Sequence, residues 1–223
     1  MTLTAQSRPD TDEMVIVHNV FRVNLGALPN LVRNVADGDR RRAEVLVCWL
    51  TELLDGLHHH HTGEDELMWP ILANRAPADT ALVLQMEEQH GRIGSLMAVV
   101  REQSTAFADS GSQGAGDDLA NSLTELNLVL DEHLRAEEER ILPIVETHMT
   151  RGEWQALAER GNSAIPKNRR LVFLGYMLYT ATPSQRALLM ALLPLPIRIL
   201  WRIAGRRAFA ADYRGIYGTA PRW

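Results

Sequence analysis

Cysteine occurs once in the 223 residues, at Cys48, and lysine once, at Lys167. A single cysteine excludes an intrachain disulfide and any cysteine-built metal cage. Between Val47 and Trp49, Cys48 reads as a small core residue. No tyrosine precedes residue 150, which removes tyrosyl-radical chemistry from the first two thirds of the chain. Long hydrophobic runs are also missing. The best candidate, Ala187–Trp201, is broken by Pro194 and Pro196 and falls short of the ~20 residues a bilayer span needs. No stretch shows the alternation and β-branched character of a strand. The start, Met1 to Glu13, is polar and has no apolar h-region, so no signal peptide and a cytoplasmic location are expected.

Hydrophobic residues make up 46% and charged residues 23%, the balance of a chain that can bury a sizeable core. The net charge of −5 hides an asymmetry. Residues 1–160 hold 13 arginines against 27 carboxylates, a balance of −14, whereas residues 161–223 hold 10 cations against Asp212 alone, a balance of +9. The acidic part argues against nucleic acid as the main partner, since phosphate binding needs clustered positive charge. The basic tail reads as docking on the acidic part, with contact to nucleic acid or to an anionic membrane as the alternatives.

Helical spacing of apolar residues runs from 12 to 36, with Thr11 or Asp10 as a cap and Pro29 as a kink or break. It recurs over about 40–72, 79–107 and 118–149, with a Gly/Ser-rich loop at 109–118. The fold expected is therefore all-α: an up-down-up-down four-helix bundle over residues 12–150. Residues 151–223 read as a helical appendage, with helices near 153–159, 171–180, 184–201 and 206–217. It would pack on the bundle or make a subunit interface.

The histidines repeat. His18 pairs with His90 and His60 with His133, at separations of 42 and 43 residues. His60 and His133 are each followed four residues on by a glutamate, Glu64 and Glu137, and ten residues on by a proline, Pro70 and Pro143. On a helix, i and i+4 share a face, so each His-x-x-x-Glu is a two-ligand tooth. Folded together, four helices would aim four imidazoles and two carboxylates at one interior point, enough for two metal ions with the carboxylates bridging. Nitrogen and oxygen donors suit iron, with manganese or zinc as lesser candidates. In the run His58–His61, register selects His60; His58, His59 and His61 flank it, with His59 or His61 in reach of a metal as an extra ligand. Asp65, Glu66, Glu138 and Glu139 read as a solvated face, with Arg135 and Glu139 as an i,i+4 pair.

This pattern resembles the hemerythrin-like proteins with HHE cation-binding domains, over about residues 12–150. The resemblance implies a non-heme di-iron centre with an oxo, hydroxo or water bridge, in which His18 and His60 bind one iron, His90 and His133 the other, and Glu64 and Glu137 bridge. Oxygen-carrying members have a further histidine four residues before the third-helix ligand. Here that position is Met86, matched by Met14 in the first repeat. A thioether is a poor ligand for oxidised iron, so Met86 reads as packing, and the change weighs against reversible oxygen storage. Glu87 is a candidate replacement.

Three functions compete. The first is a di-iron protein that binds or turns over a small oxidant: oxygen, hydrogen peroxide or nitric oxide. The second is an oxidase or oxygenase of an organic substrate, with the C-terminal segment as a pocket wall. A ferritin-like enzyme wants two Glu-x-x-His motifs, and only Glu87-x-x-His90 fits, because Val15 and Leu130 stand at the corresponding places. The third is a metal-dependent sensor or interaction protein whose tail contacts a partner or an anionic membrane. For the tail's apolar residues the same chain's bundle ranks first, a second copy next and a membrane surface last, because Pro183, Pro194 and Pro196 break a continuous amphipathic helix. What separates them is whether a pocket reaches the metals, and what lines it.

Overall fold

The computed structural model describes residues 8–222; residues 1–7, and with them most of the polar leader, lie outside it. Among the described residues every regular element is helical. Helices α1 (Asp12–Arg33) and α2 (Arg40–Leu67) are followed by the short α3 (Trp69–Arg75), a 3-10 turn at Pro77–Asp79, and then α4 (Thr80–Ser110) and α5 (Gln113–Ala136). A π turn at Glu137–Ile141 leads into α6 (Leu142–His148). The remainder is α7 (Arg151–Ala164), α8 (Arg170–Thr180), α9 (Pro183–Leu192), α10 (Leu195–Leu200), a second π turn at Trp201–Gly205, and α11 (Arg206–Tyr217). Long helix α1 packs on α2 and α5, and α4 packs on the same two, so the four close a ring.

Local chemistry explains the helix limits. Pro29 is buried inside α1 without breaking it. Its missing N–H leaves the Leu25 carbonyl, four residues back, without an intrahelical donor. Asn127 of α5 donates to that oxygen at 3.0 Å instead, so the lost bond is replaced across the helix pair. Thr11 does not cap α1 through its side chain; it donates to Glu146 at 2.8 Å, while Asp10 accepts from the Asp12 amide. The Gly/Ser-rich segment read as a ten-residue loop is mostly the first turn of α5, because Ser112 accepts from the Ala115 amide and starts the helix early. Gly111 ends α4 with φ +61°, and a Cβ there would lie 2.7 Å from the Arg40 backbone nitrogen. Only glycine fits that crossing of the two end loops.

The two His-x-x-x-Glu helices also break alike. Pro70 and Pro143 sit in the first turns of α3 and α6, where the absent N–H relaxes the helical ladder just past each glutamate. After α5 the relaxation takes the form of the π turn that begins at Glu137, a distortion often found at functional positions.

Two apolar cores result. The larger, including Phe21, Leu53, Leu57, Ile93, Leu126 and Leu130, fills one length of the ring. The smaller, including Met14, Met68, Trp69, Met86 and Ile141, fills the other end beneath α3 and α6. Along each long helix the histidines and glutamates fall between the two cores.

Residues beyond 150 share the larger core. Val172, Leu174, Tyr176 and Phe209 are buried in it, and Tyr176 stacks on Trp49 of α2 at 4.4 Å. Arg169 bridges Glu52 of α2 and Asp212 of α11, and Tyr217 donates to the buried Asn24 of α1 at 2.7 Å. Cys48, expected in the core, is exposed. It falls one position before the buried Trp49 and Leu50, on the outward edge of α2. No described helix is long and apolar enough to cross a membrane.

Candidate metal centre

All six residues singled out by the repeat converge, and a seventh joins them. Donor atoms of His18, His60, Glu64 and Glu137 lie within 4.8 Å of one another, and so do those of His61, Glu64, His90 and His133. Glu64 belongs to both groups. Its Oε1 is 3.2 Å from His60 Nε2 and its Oε2 is 3.4 Å from His90 Nε2, so one carboxylate spans them. Glu137 Oε2 reaches the same way, 3.3 Å from His18 Nε2 and 3.8 Å from His133 Nε2. Within each group the paired imidazoles face each other, His18 to His60 and His90 to His133, with Nε2 atoms 3.2 Å apart.

His61 is the residue that sequence register did not select. Successive side chains on a helix are turned by ~100°, so His60 faces α1 while His61 faces α4. There it stacks on His90 with ring centroids 4.1 Å apart. Met86 is fully buried among apolar neighbours, and Glu87 is exposed; neither joins a donor group. The signal for His61 was its adjacency to His60, which can be read only once it is known that α2 lies between α1 and α4.

The ring nitrogens facing away from the centre are held. His18 Nδ1 donates to Glu138 at 2.8 Å, His90 Nδ1 to Asp65 at 2.7 Å, and His133 Nδ1 to Gln89 at 3.1 Å. A proton fixed on Nδ1 turns the Nε2 lone pair to the centre, the usual arrangement of a metal-binding imidazole. Asp65 and Glu138 are therefore not a solvated face. Glu138 is further clamped by Arg22, and Asp65 accepts from Trp69 Nε1. Arg135 pairs with Asp131 rather than with Glu139.

Several of the inward atoms lack partners. Both oxygens of Glu64, both of Glu137, and Nε2 of His61 are buried without a hydrogen bond. An unsatisfied buried polar atom costs roughly 1–3 kcal/mol. Five together approach the ~5–15 kcal/mol that stabilises a whole domain. A cluster of acceptors facing one point is what a cation satisfies, and this donor set of imidazole and carboxylate fits one.

The electrostatics agree. Burial opposes charge on His18, yet Glu137 and Glu138 outweigh it and raise its pKa to about 9. His90 is likewise raised to about 9 against burial, by Asp65 and Glu64. Their partners go the other way: burial and the neighbouring cations lower His60 to about 3 and His133 to about 4. Burial and the nearby Glu137 raise Glu64 to about 8. The opposite shifts within each pair are those of imidazoles and carboxylates crowded around one point, and a metal ion bound there would displace protons from them.

A groove of about 490 Å³ between α2 and α4 ends on His61 and His90. Gly91 and Gly94 open its wall, and Thr62 and Glu87 make it polar. Its lining comes from α2 and α4 alone, so the C-terminal segment is not a wall of this pocket.

No curated protein and no solved structure matches the chain. The hemerythrin HHE cation binding domain matches residues 10–145, a span that contains every donor of both groups and more than half of the protein. The chain belongs to the hemerythrin HHE cation-binding domain family.

Proposed function

We propose that this is a non-heme di-iron protein that binds or turns over a small oxidant: oxygen, hydrogen peroxide or nitric oxide. In this reading residues 12–150 form an up-down-up-down four-helix bundle and residues 151–223 are a helical extension fixed to it. His18, His60 and Glu137 would hold one ion and His61, His90 and His133 the other, with Glu64 common to both groups and Glu137 also within reach of His133. The observation that carries the reading is the pair of donor groups sharing Glu64, with its two carboxylate oxygens buried and unpartnered between them.

Mixed nitrogen and oxygen donors without thiolate favour iron, which when bound supplies redox chemistry toward a small oxidant. The chain supplies the rest. Asp65, Glu138 and Gln89 fix the imidazole tautomers, and the two apolar cores exclude water from above and below. Four protein donors in each group leave room for an outside molecule. The groove ends on the His61 and His90 side, so a small polar molecule approaches there. The absence of any C-terminal residue from that groove favours this reading over an organic-substrate oxidase with the extension as pocket wall.

The test is metal analysis of full-length protein expressed with iron, followed by reduction and exposure to oxygen or peroxide. About two irons per chain are expected, with a near-ultraviolet absorption that is lost on reduction and returns with the oxidant. Zero or one ion in a folded, iron-supplemented sample overturns the dinuclear reading. Two ions that neither oxidant reoxidises overturn the functional one.

A further inference from the structure

The C-terminal extension buries one side against the long helices and leaves another side bare. Of the eleven large apolar side chains left exposed among the described residues, six lie in the short span 192–203. Leu195, Ile199 and Ile203, one helical turn apart along α10 and the second π turn, are 62%, 47% and 64% exposed. Scattered exposed apolar residues are normal, but a contiguous patch marks a contact surface. Trp201 and Gly205 face inward within the same span, so the outward stripe is a fixed face of a docked helix.

The charge around the patch has one sign. From residue 160 to residue 211 the chain has no aspartate or glutamate. Arg198, Arg202 and Arg206 follow one another at four-residue spacing beside the apolar stripe, and Arg207 adds to them. Arg202 and Arg207 are exposed and form no ion pair among the described residues. Two other cations of the extension are used in docking: Arg169 pairs with Glu52 and Asp212, and Arg160 pairs with Glu66.

We propose that this face, Leu192 to Arg207, docks on an anionic lipid surface. The combination of bare aliphatic side chains with an all-cationic border is the signature of an interfacial contact, in which apolar groups enter the headgroup boundary and arginines meet the phosphates. A second copy of the chain fits less well. A two-fold pairing sets each patch against itself, which would bring the arginine rows of both copies together. Attachment would be peripheral, since no described helix can span a bilayer, and the groove to His61 and His90 lies on helices outside the extension.

The experiment is co-sedimentation of the full-length protein with phosphatidylcholine vesicles and with vesicles containing one quarter phosphatidylglycerol. Binding to the anionic vesicles at least tenfold stronger than to the neutral ones is expected, and 0.5 M salt should release it. Leu195→Asp with Ile203→Asp should lower partitioning at least tenfold. Arg202→Gln and Arg207→Gln should each lower it about fivefold. All four positions are exposed, so helical content by circular dichroism should not change. Equal binding to both vesicle types, or none to either, overturns the proposal. So does self-association in sedimentation velocity that Ile203→Asp abolishes, because that outcome assigns the face to a second copy.

Discussion

Asp65 accepts the Nδ1 proton of His90 at 2.7 Å, and across the centre Glu138 does the same for His18 at 2.8 Å. Each acceptor follows immediately after an inward glutamate, Glu64 or Glu137. The repeat is thus one residue richer than His-x-x-x-Glu. The glutamate serves the interior, and the next carboxylate turns ~100° around the helix to hold a histidine of a neighbouring helix. These contacts also explain why the acidic run after each histidine is not simply solvated.

Replacing Asp65 or Glu138 by Ala should weaken metal binding by about 10–100-fold without abolishing it, the usual effect of removing a group that orients a ligand. The loss should be read as a shift in the chelator concentration that strips half the metal. Removal of Glu66, which pairs with Arg160 on the surface, should leave that midpoint where it was. If Glu66→Ala moved it as far as Asp65→Ala, the orienting role would fail.

Glu64→Ala should do more damage than either. Its oxygens reach both donor groups, so both metals should be lost or held weakly, and heat stability should fall with them. Metal that binds only the folded chain at 100 to 1,000 times its dissociation constant stabilises it by about 2.7–4.1 kcal/mol. For a protein of this size that is roughly 5–15 °C in Tm. Chelation of the wild type should produce such a drop, and chelation of Glu64→Ala should produce almost none. An equal drop in both proteins would show that Glu64 is not needed to hold the metal.

Much of this was legible in the chain because helices write their faces at fixed spacing. Two His-x-x-x-Glu segments in register with His18 and His90 specify which residues converge. They need only the four-residue period to be read. His61 and Asp65 were harder, since both act toward α4, and a sequence does not say which neighbour lies on which side of α2. Pro29 looked like a break because its rescue, Asn127, comes from another helix 98 residues later in the chain. The start of α5 looked like loop because Gly114 and Gly116 are poor helix formers. Yet Ser112 caps that turn, and Gly116 lets Phe107 approach to where a Cβ would be only 3.1 Å away.

A pH effect should come from the end of the molecule beyond the second core. Glu153 caps α7 from inside its first turn and accepts from Arg75 at 2.6 and 2.9 Å. Chiefly through Arg75, its pKa is lowered from 4.5 to about 2. A depressed carboxylate stabilises the fold above its unfolded pKa, and that contribution fades as pH falls toward the folded value. Glu153→Gln should therefore cost stability at pH 6–7, by about 0.2–1 kcal/mol for so exposed a pair. By pH 2 the difference from wild type should have largely gone. Urea melts across that range would settle it: a penalty that stays constant down to pH 2 would mean the charge is not what matters.

The groove between α2 and α4 makes a prediction in which two readouts should move in opposite directions. Gly91 and Gly94 lie on α4, and a Cβ added at either meets nothing within 4 Å. In a helix interior, glycine is less favourable than alanine by about 0.8–1.0 kcal/mol. Gly94→Ala should therefore raise Tm slightly, and Gly94→Leu should be tolerated. Both side chains, however, project into the route that ends on His61 and His90. Leucine should slow reoxidation of the reduced protein by peroxide severalfold, with metal content unchanged and stability equal or higher. A general packing defect would lower both stability and rate, so the opposite signs identify blocked access. If Gly94→Leu reoxidised as fast as wild type, small molecules would be reaching the centre by another path, and the groove would have no part in the chemistry.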